Sequence, residues 1–148
     1  MFGLSQLLLS GRALPEPAIN QTPADPVMHE FRALTLFAQG KYRDEAATLY
    51  AVLSRGPGWD WQTMRSLYGD PQAYTNQLRA LEKYAKDNPT DSASRFDLAY
   101  HYLVTRQMDA AVRMLEDVVR LTPDNQLAAD MVKALKQPPS GDGPPAGP

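Results

Sequence analysis

Four prolines recur at nearly equal spacing along the chain. They are Pro23, Pro57, Pro89 and Pro123, which lie 34, 32 and 34 residues apart. Each ends a stretch with helical periodicity, and an aspartate suited to cap the next helix follows within three positions. A period near 34 residues built from helix–turn–helix units predicts a repeat protein, because a single hairpin cannot bury its apolar face alone.

Residues 92–125 show the hairpin most clearly. Ala99 and Tyr102 have helical spacing in its first half, and Ala111 and Leu115 have it in the second. The two alanines allow antiparallel helices to approach closely, while the larger side chains fill the space beside them. We therefore predict two packed helices joined by a tight turn.

Residues 26–57 repeat this pattern with one exception. Gly40 marks the end of the first helix, as glycine commonly does. In the second helix Glu45 occupies the position that Ala111 holds in the later hairpin. This predicts either a small rotation that brings Ala46 into the interface or a locally loose pairing of the helices.

The middle unit is two residues shorter and aromatic at its entrance. Trp59 and Trp61 flank Asp60, which can cap a short helix, and Asp70 can cap the helix after it. We interpret this unit as degenerate, with the tryptophans filling the gap left by the missing residues; the alternative is that they form an exposed binding anchor. Residues 137–148 are rich in proline and glycine and are predicted to be disordered.

The last helix and the N-terminus complete the proposed organisation. Asp124 or Asn125 begins a final helix with one apolar stripe, as the capping helix of a repeat stack requires. Residues 1–24 are predicted to be a tail, with a remnant helix of a preceding unit as the alternative. The predicted repeat domain spans residues 25–136.

Composition narrows the classes of function. The 148 residues carry 15 basic and 17 acidic side chains, a net charge of −2, which gives no basic stripe for nucleic acid. No segment approaches the ~20 apolar residues that span a bilayer. The apolar run at residues 2–9 has no preceding Lys or Arg, so we expect a cytoplasmic protein, with export as the alternative.

The sequence contains none of the common catalytic motifs. It lacks a phosphate-binding glycine loop, a zinc-binding His-Glu-x-x-His motif and a nucleophilic serine elbow. Cysteine is absent, and His29 and His101 each lack a neighbouring His or Cys that would help to ligate a metal. We expect a protein that is not an enzyme and that uses no cofactor or metal.

These features resemble the tetratricopeptide repeat, a 34-residue helical hairpin, in the form seen in bacterial proteins. The hairpin at residues 92–125 matches the motif best and departs at its turn, where Arg106 stands in place of the usual glycine. The matching positions are Leu98, Ala99, Tyr102, Ala111, Leu115 and Pro123. The resemblance implies an all-α, right-handed superhelical solenoid of about three repeats with a C-terminal capping helix.

The resemblance also implies a function, a protein–protein interaction scaffold. In this family the first helix of each repeat lines a concave groove that binds a partner peptide or helix. The groove positions here are Glu30, Leu34, Phe37, Phe96, Tyr100 and Leu103. The alternative is that these side chains pack on one another, while Asp97 beside them is expected to be solvated.

Two other functions stay open at this point. The first is a self-assembling structural unit, which is favoured if the leucines near the N-terminus bind a second copy. Otherwise the chain is expected to be a monomer or a weak homodimer. The second is an accessory domain of a larger complex or enzyme.

Overall fold

A computed structural model describes residues 26–56 and 60–137. All regular secondary structure in these residues is α-helical, which confirms the predicted all-α class. The helices are α1 (Pro26–Ala38), α2 (Tyr42–Leu53), α3 (Trp61–Tyr68), α4 (Pro71–Asp87), α5 (Ser92–Val104), α6 (Met108–Leu121) and α7 (Gln126–Lys136). The predicted N-terminal tail, Trp59 and nearly all of the C-terminal tail lie outside the described residues.

Side-chain caps explain where four helices begin. Asp60, Asp70 and Asp91 each precede a helix and accept a hydrogen bond from a backbone N–H two or three residues later. Asn125, one of the two predicted caps of the last helix, does the same for α7. Such caps satisfy N–H groups that have no partner within the helix, so the polar residues between apolar stretches fix the helix starts.

The first and last hairpins have the same construction. Their first helices, α1 and α5, have 13 residues each and begin 66 positions apart, at Pro26 and Ser92. Their second helices, α2 and α6, begin at Tyr42 and Met108, again 66 positions apart. The middle helices α3 and α4, with 8 and 17 residues, do not share this construction.

The turns of the two hairpins are also alike. Gly40 and Arg106 occupy equivalent positions and both have a left-handed backbone, with φ of 76° and 64°. In each turn this residue donates its N–H to the carbonyl three positions earlier, and the next N–H bonds to the carbonyl five positions earlier. The pattern closes a helix C-terminus and normally uses glycine, so Arg106 holds a conformation that costs backbone free energy.

Packing between helices does not follow the order of the chain. Helices α1 and α2 pair as a hairpin, as do α5 and α6, and α7 packs on α6. Helix α2 packs against α5, although α3 and α4 separate the two in sequence. The first hairpin therefore lies directly on the last one. Helix α4 packs against α5 and also contacts α1, so it lies beside both hairpins.

No helix in the described ranges is both long enough and apolar enough to cross a membrane.

Candidate functional site

A glutamate lies in the interior at the position where the repeat pattern has alanine. The side chain of Glu45 is fully buried, and its Oε2 lies 2.7 Å from Nε2 of His101, which is also fully buried. Because α2 packs on α5, the histidine of one helix reaches the carboxylate of the other. Neither sequence expectation for this position describes it, since Glu45 itself occupies the interface and a histidine pairs with it.

Tyr74 from α4 joins the same cluster. Its hydroxyl lies 2.8 Å from Nδ1 of His101, and the ring of Phe37 stacks on the imidazole with centroids 4.0 Å apart. With hydrogen on Nε2, the imidazole donates to Glu45 and its Nδ1 accepts from the tyrosine hydroxyl. Both ring nitrogens therefore have partners, and side chains from α2, α4 and α5 meet at one histidine.

Asp97 supplies a second buried carboxyl group, which corrects the expectation that it is solvated. If both carboxyl groups are ionised, Oδ1 and Oδ2 of Asp97 and Oε1 of Glu45 accept no hydrogen bond from a described residue. Burial raises the pKa of Asp97 well above its usual value, and the charge of Glu45 raises that pKa further. This shift favours the protonated form of Asp97, whose hydroxyl can donate a hydrogen bond to Glu45.

Burial also raises the pKa of Glu45, while the nearby His101 acts in the opposite direction. We name Glu45, Asp97, His101 and Tyr74 the polar cluster. Every member is at most 2% exposed, and none of them lines a cavity described below. The polar cluster therefore connects α2, α4 and α5 in the interior.

In the part of the chain that the structure describes, no set of three or more His, Cys, Asp or Glu side chains has an arrangement that would hold a metal ion.

The structure buries most of the residues predicted to line a groove. Glu30, Leu34, Phe37, Phe96 and Tyr100 are all between 0% and 4% exposed. This is the arrangement in which the side chains pack on one another, and a partner-binding role for them stays a prediction. The sequence left both arrangements open, because the choice between them depends on which helices cover α1 and α5.

Helix α4 provides part of that cover. The ring of Tyr74 lies 5.8 Å from that of Phe37 on α1 and 5.6 Å from that of His101 on α5, measured between centroids. Beneath this layer the hydroxyl of Tyr100 donates to Oε2 of Glu30 at 2.5 Å. Burial raises the pKa of Tyr100 well above its usual value, and the charge of Glu30 adds to the effect.

Leu103, the sixth predicted groove residue, is half-buried and lines an apolar cavity of about 380 Å³. Helices α2, α5, α6 and α7 and the two adjoining loops contribute to its wall. The lining residues are Leu53, Gly56, Asp60, Tyr100, Leu103, Val104, Arg106, Met108, Met131, Ala134 and Leu135. We call this the apolar cavity; Tyr100 and Leu103 are the predicted groove residues that line it.

The rim of the apolar cavity is open to solvent. Met108 is 43% exposed although it is a large apolar side chain, and Ala134 is exposed as well. One acidic and one basic residue, Asp60 and Arg106, are its charged members. The sequence signal that was missed is Met108, an apolar residue in the first turn of a helix where capping and charged residues are more common.

A second, shallower depression lies between α2, the start of α5 and the end of α6. Its lining includes Ala47, Tyr50, Ala93, Phe96 and Thr122, and its volume is about 540 Å³. Phe96, another predicted groove residue, forms part of its floor and lies 6.1 Å from the exposed Tyr50 between ring centroids. We call it the α2–α5 depression.

No protein-family model, curated protein or solved structure matches this chain.

Proposed function

We propose that this protein is a non-catalytic interaction module that binds an apolar helical segment of a partner protein in the apolar cavity. The observation that carries the proposal is an open cavity with a predominantly apolar wall, in a structure whose polar cluster is buried. Its volume falls in the ~300–1,000 Å³ range of ordinary binding pockets.

The shape and chemistry of the cavity favour a helical partner. A bound amphipathic helix places side chains at i, i+3 and i+4 into a hydrophobic groove between helices. Met108 and Met131 contribute flexible thioether side chains, which adapt to differently shaped apolar partners. The two charged lining residues have opposite signs, so the wall offers no net charge for a strongly ionic ligand.

The repeated hairpins support a tetratricopeptide-like framework for this module. Hairpins with equal helix starts 66 positions apart, with matching turns and with α2 packed on α5, fit two stacked repeats capped by α7. In this proposal α3 and α4 form an insertion between the repeats. The insertion accounts for the buried concave positions and shifts partner binding to the apolar cavity.

Substitutions at exposed cavity positions test the proposal. We would use the purified protein to capture partners from a lysate of its source cells, and compare the wild type with Met108→Asp and Ala134→Asp. Both residues are exposed, so an aspartate there places a charge in the cavity with little effect on folding. The control is Tyr84→Asp, which changes a comparably exposed apolar residue on α4 outside the cavity.

We expect the wild type and Tyr84→Asp to capture the same protein and both cavity variants to lose it. All variants must show the helical circular dichroism of the wild type. Equal capture by the Met108→Asp and Ala134→Asp variants would contradict the proposed site, and absence of any captured protein would contradict the proposed function.

A further inference from the structure

The chain enters the described structure beside the apolar cavity. Glu30 lies about one turn after Pro26, the first residue of α1, and bonds to Tyr100, which forms part of the cavity wall. Leu53, the last residue of the antiparallel partner helix α2, also lines the cavity. The polypeptide that precedes α1 therefore joins the fold at the cavity end of the first hairpin.

Residues 2–9 are the most apolar part of that preceding polypeptide. They contain one phenylalanine and four leucines and no charged side chain. Leu4, Leu7 and Leu8 have the i, i+3, i+4 spacing that places three side chains on one face of a helix. An uncharged leucine face is the ligand that a cavity with an apolar wall and no net charge accommodates.

The connection is long enough to reach the cavity. Residues 10–25 span up to about 50 Å when extended, whereas a 13-residue helix such as α5 is about 20 Å long. Attachment through a tether of this length produces an effective concentration on the order of millimolar, so a weak interaction suffices for occupancy.

We propose that residues 2–9 bind in the apolar cavity of the same molecule and compete there with the partner segment. This inference rests on the proposed function and adds its regulation: the chain carries an internal ligand for its own binding site. A partner must displace this segment, so the observed affinity for a partner is lower than the cavity alone would provide.

Cysteine pairs test the contact directly, because the chain has no cysteine of its own. We would oxidise the full-length double variant Leu8→Cys/Ala134→Cys under mild conditions and locate the disulfide by mass spectrometry of proteolytic peptides. The matched control is Leu8→Cys/Ala47→Cys, since Ala47 is also an exposed helical alanine and lines the α2–α5 depression instead.

The proposal predicts an intramolecular disulfide that forms roughly tenfold faster with position 134 than with position 47, independent of protein concentration. Equal rates for the two pairs would overturn it, because they would report random collisions of the segment. A concentration-dependent disulfide between two molecules would also overturn it and assign the cavity to a second copy.

A capture experiment separates this inference from the proposed function. The variant Leu7→Asp/Leu8→Asp places charges on the segment and leaves the cavity unchanged, so it should capture several-fold more partner than the wild type. Unchanged capture would contradict competition while leaving the proposed function intact. Disulfide formation at position 134 without any captured partner would support the internal contact and refute the proposed function.

Discussion

The stability of the variant Asp97→Asn relative to the wild type should increase as pH rises above about 4. In the native state burial favours the protonated form of this carboxyl group, which can donate a hydrogen bond to Glu45. In the unfolded chain an aspartate loses its proton above pH ~4. An asparagine keeps an N–H donor at this position and does not ionise in either state.

The sign and size of the effect follow from proton binding. The raised pKa of Asp97 means that, above pH ~4, the native state holds one more proton than the unfolded state. The free energy of unfolding therefore decreases as pH rises, by up to about 1.4 kcal/mol per pH unit, until the native pKa is reached. The variant lacks this contribution, so its stability relative to the wild type should increase with pH, by at most about 1.4 kcal/mol per pH unit, between the unfolded-state and native pKa values.

Urea unfolding followed by circular dichroism, at several pH values from 5.5 to 8.5, measures this difference. Glu45 and Tyr42, whose pKa values are also raised by burial, lie near this site and are present in both proteins. A control variant, Asp130→Asn, changes an exposed aspartate and should differ from the wild type by a nearly constant amount. A pH-independent difference for Asp97→Asn would refute the protonated buried carboxyl group.

Four further substitutions, at three positions, test the packing. Arg106→Gly should raise the free energy of unfolding by about 0.5–1 kcal/mol, because relief of the left-handed strain exceeds the added entropy of the unfolded chain; thermal melting would show it, and a lower melting temperature would contradict it. Tyr100→Phe removes the hydrogen bond to Glu30 and should lower the free energy of unfolding by about 1.5–3 kcal/mol, as measured by denaturant titration. Tyr100→Ala also removes the buried ring and should lower it by about 3–5 kcal/mol. An unchanged melting temperature for the alanine variant would place Tyr100 at an open surface. Ala111→Leu should lower the free energy of unfolding by about 1–3 kcal/mol, because it overpacks a fully buried position. Urea unfolding would measure this loss, and an unchanged stability would mean that the α5–α6 interface is loose.

Local sequence features determined the helices. Aspartate, asparagine and proline at the helix starts and glycine after α1 act within a few residues, so their effects could be predicted without knowing the fold. The 66-position correspondence between the two hairpins was also present in the sequence, as the sum of two proline spacings.

Only the tertiary structure decided which surfaces stay open. Glu45 departed from the repeat pattern in the sequence, but its pairing with His101 depends on α2 lying against α5, across 56 positions of chain. In the same way, Phe37 and Tyr100 carry no local signal that distinguishes a groove wall from a core. Their burial results from the packing of α2 and α4 around α5. A helix start depends on neighbouring residues in the sequence, whereas the exposure of a side chain depends on distant segments that cover it.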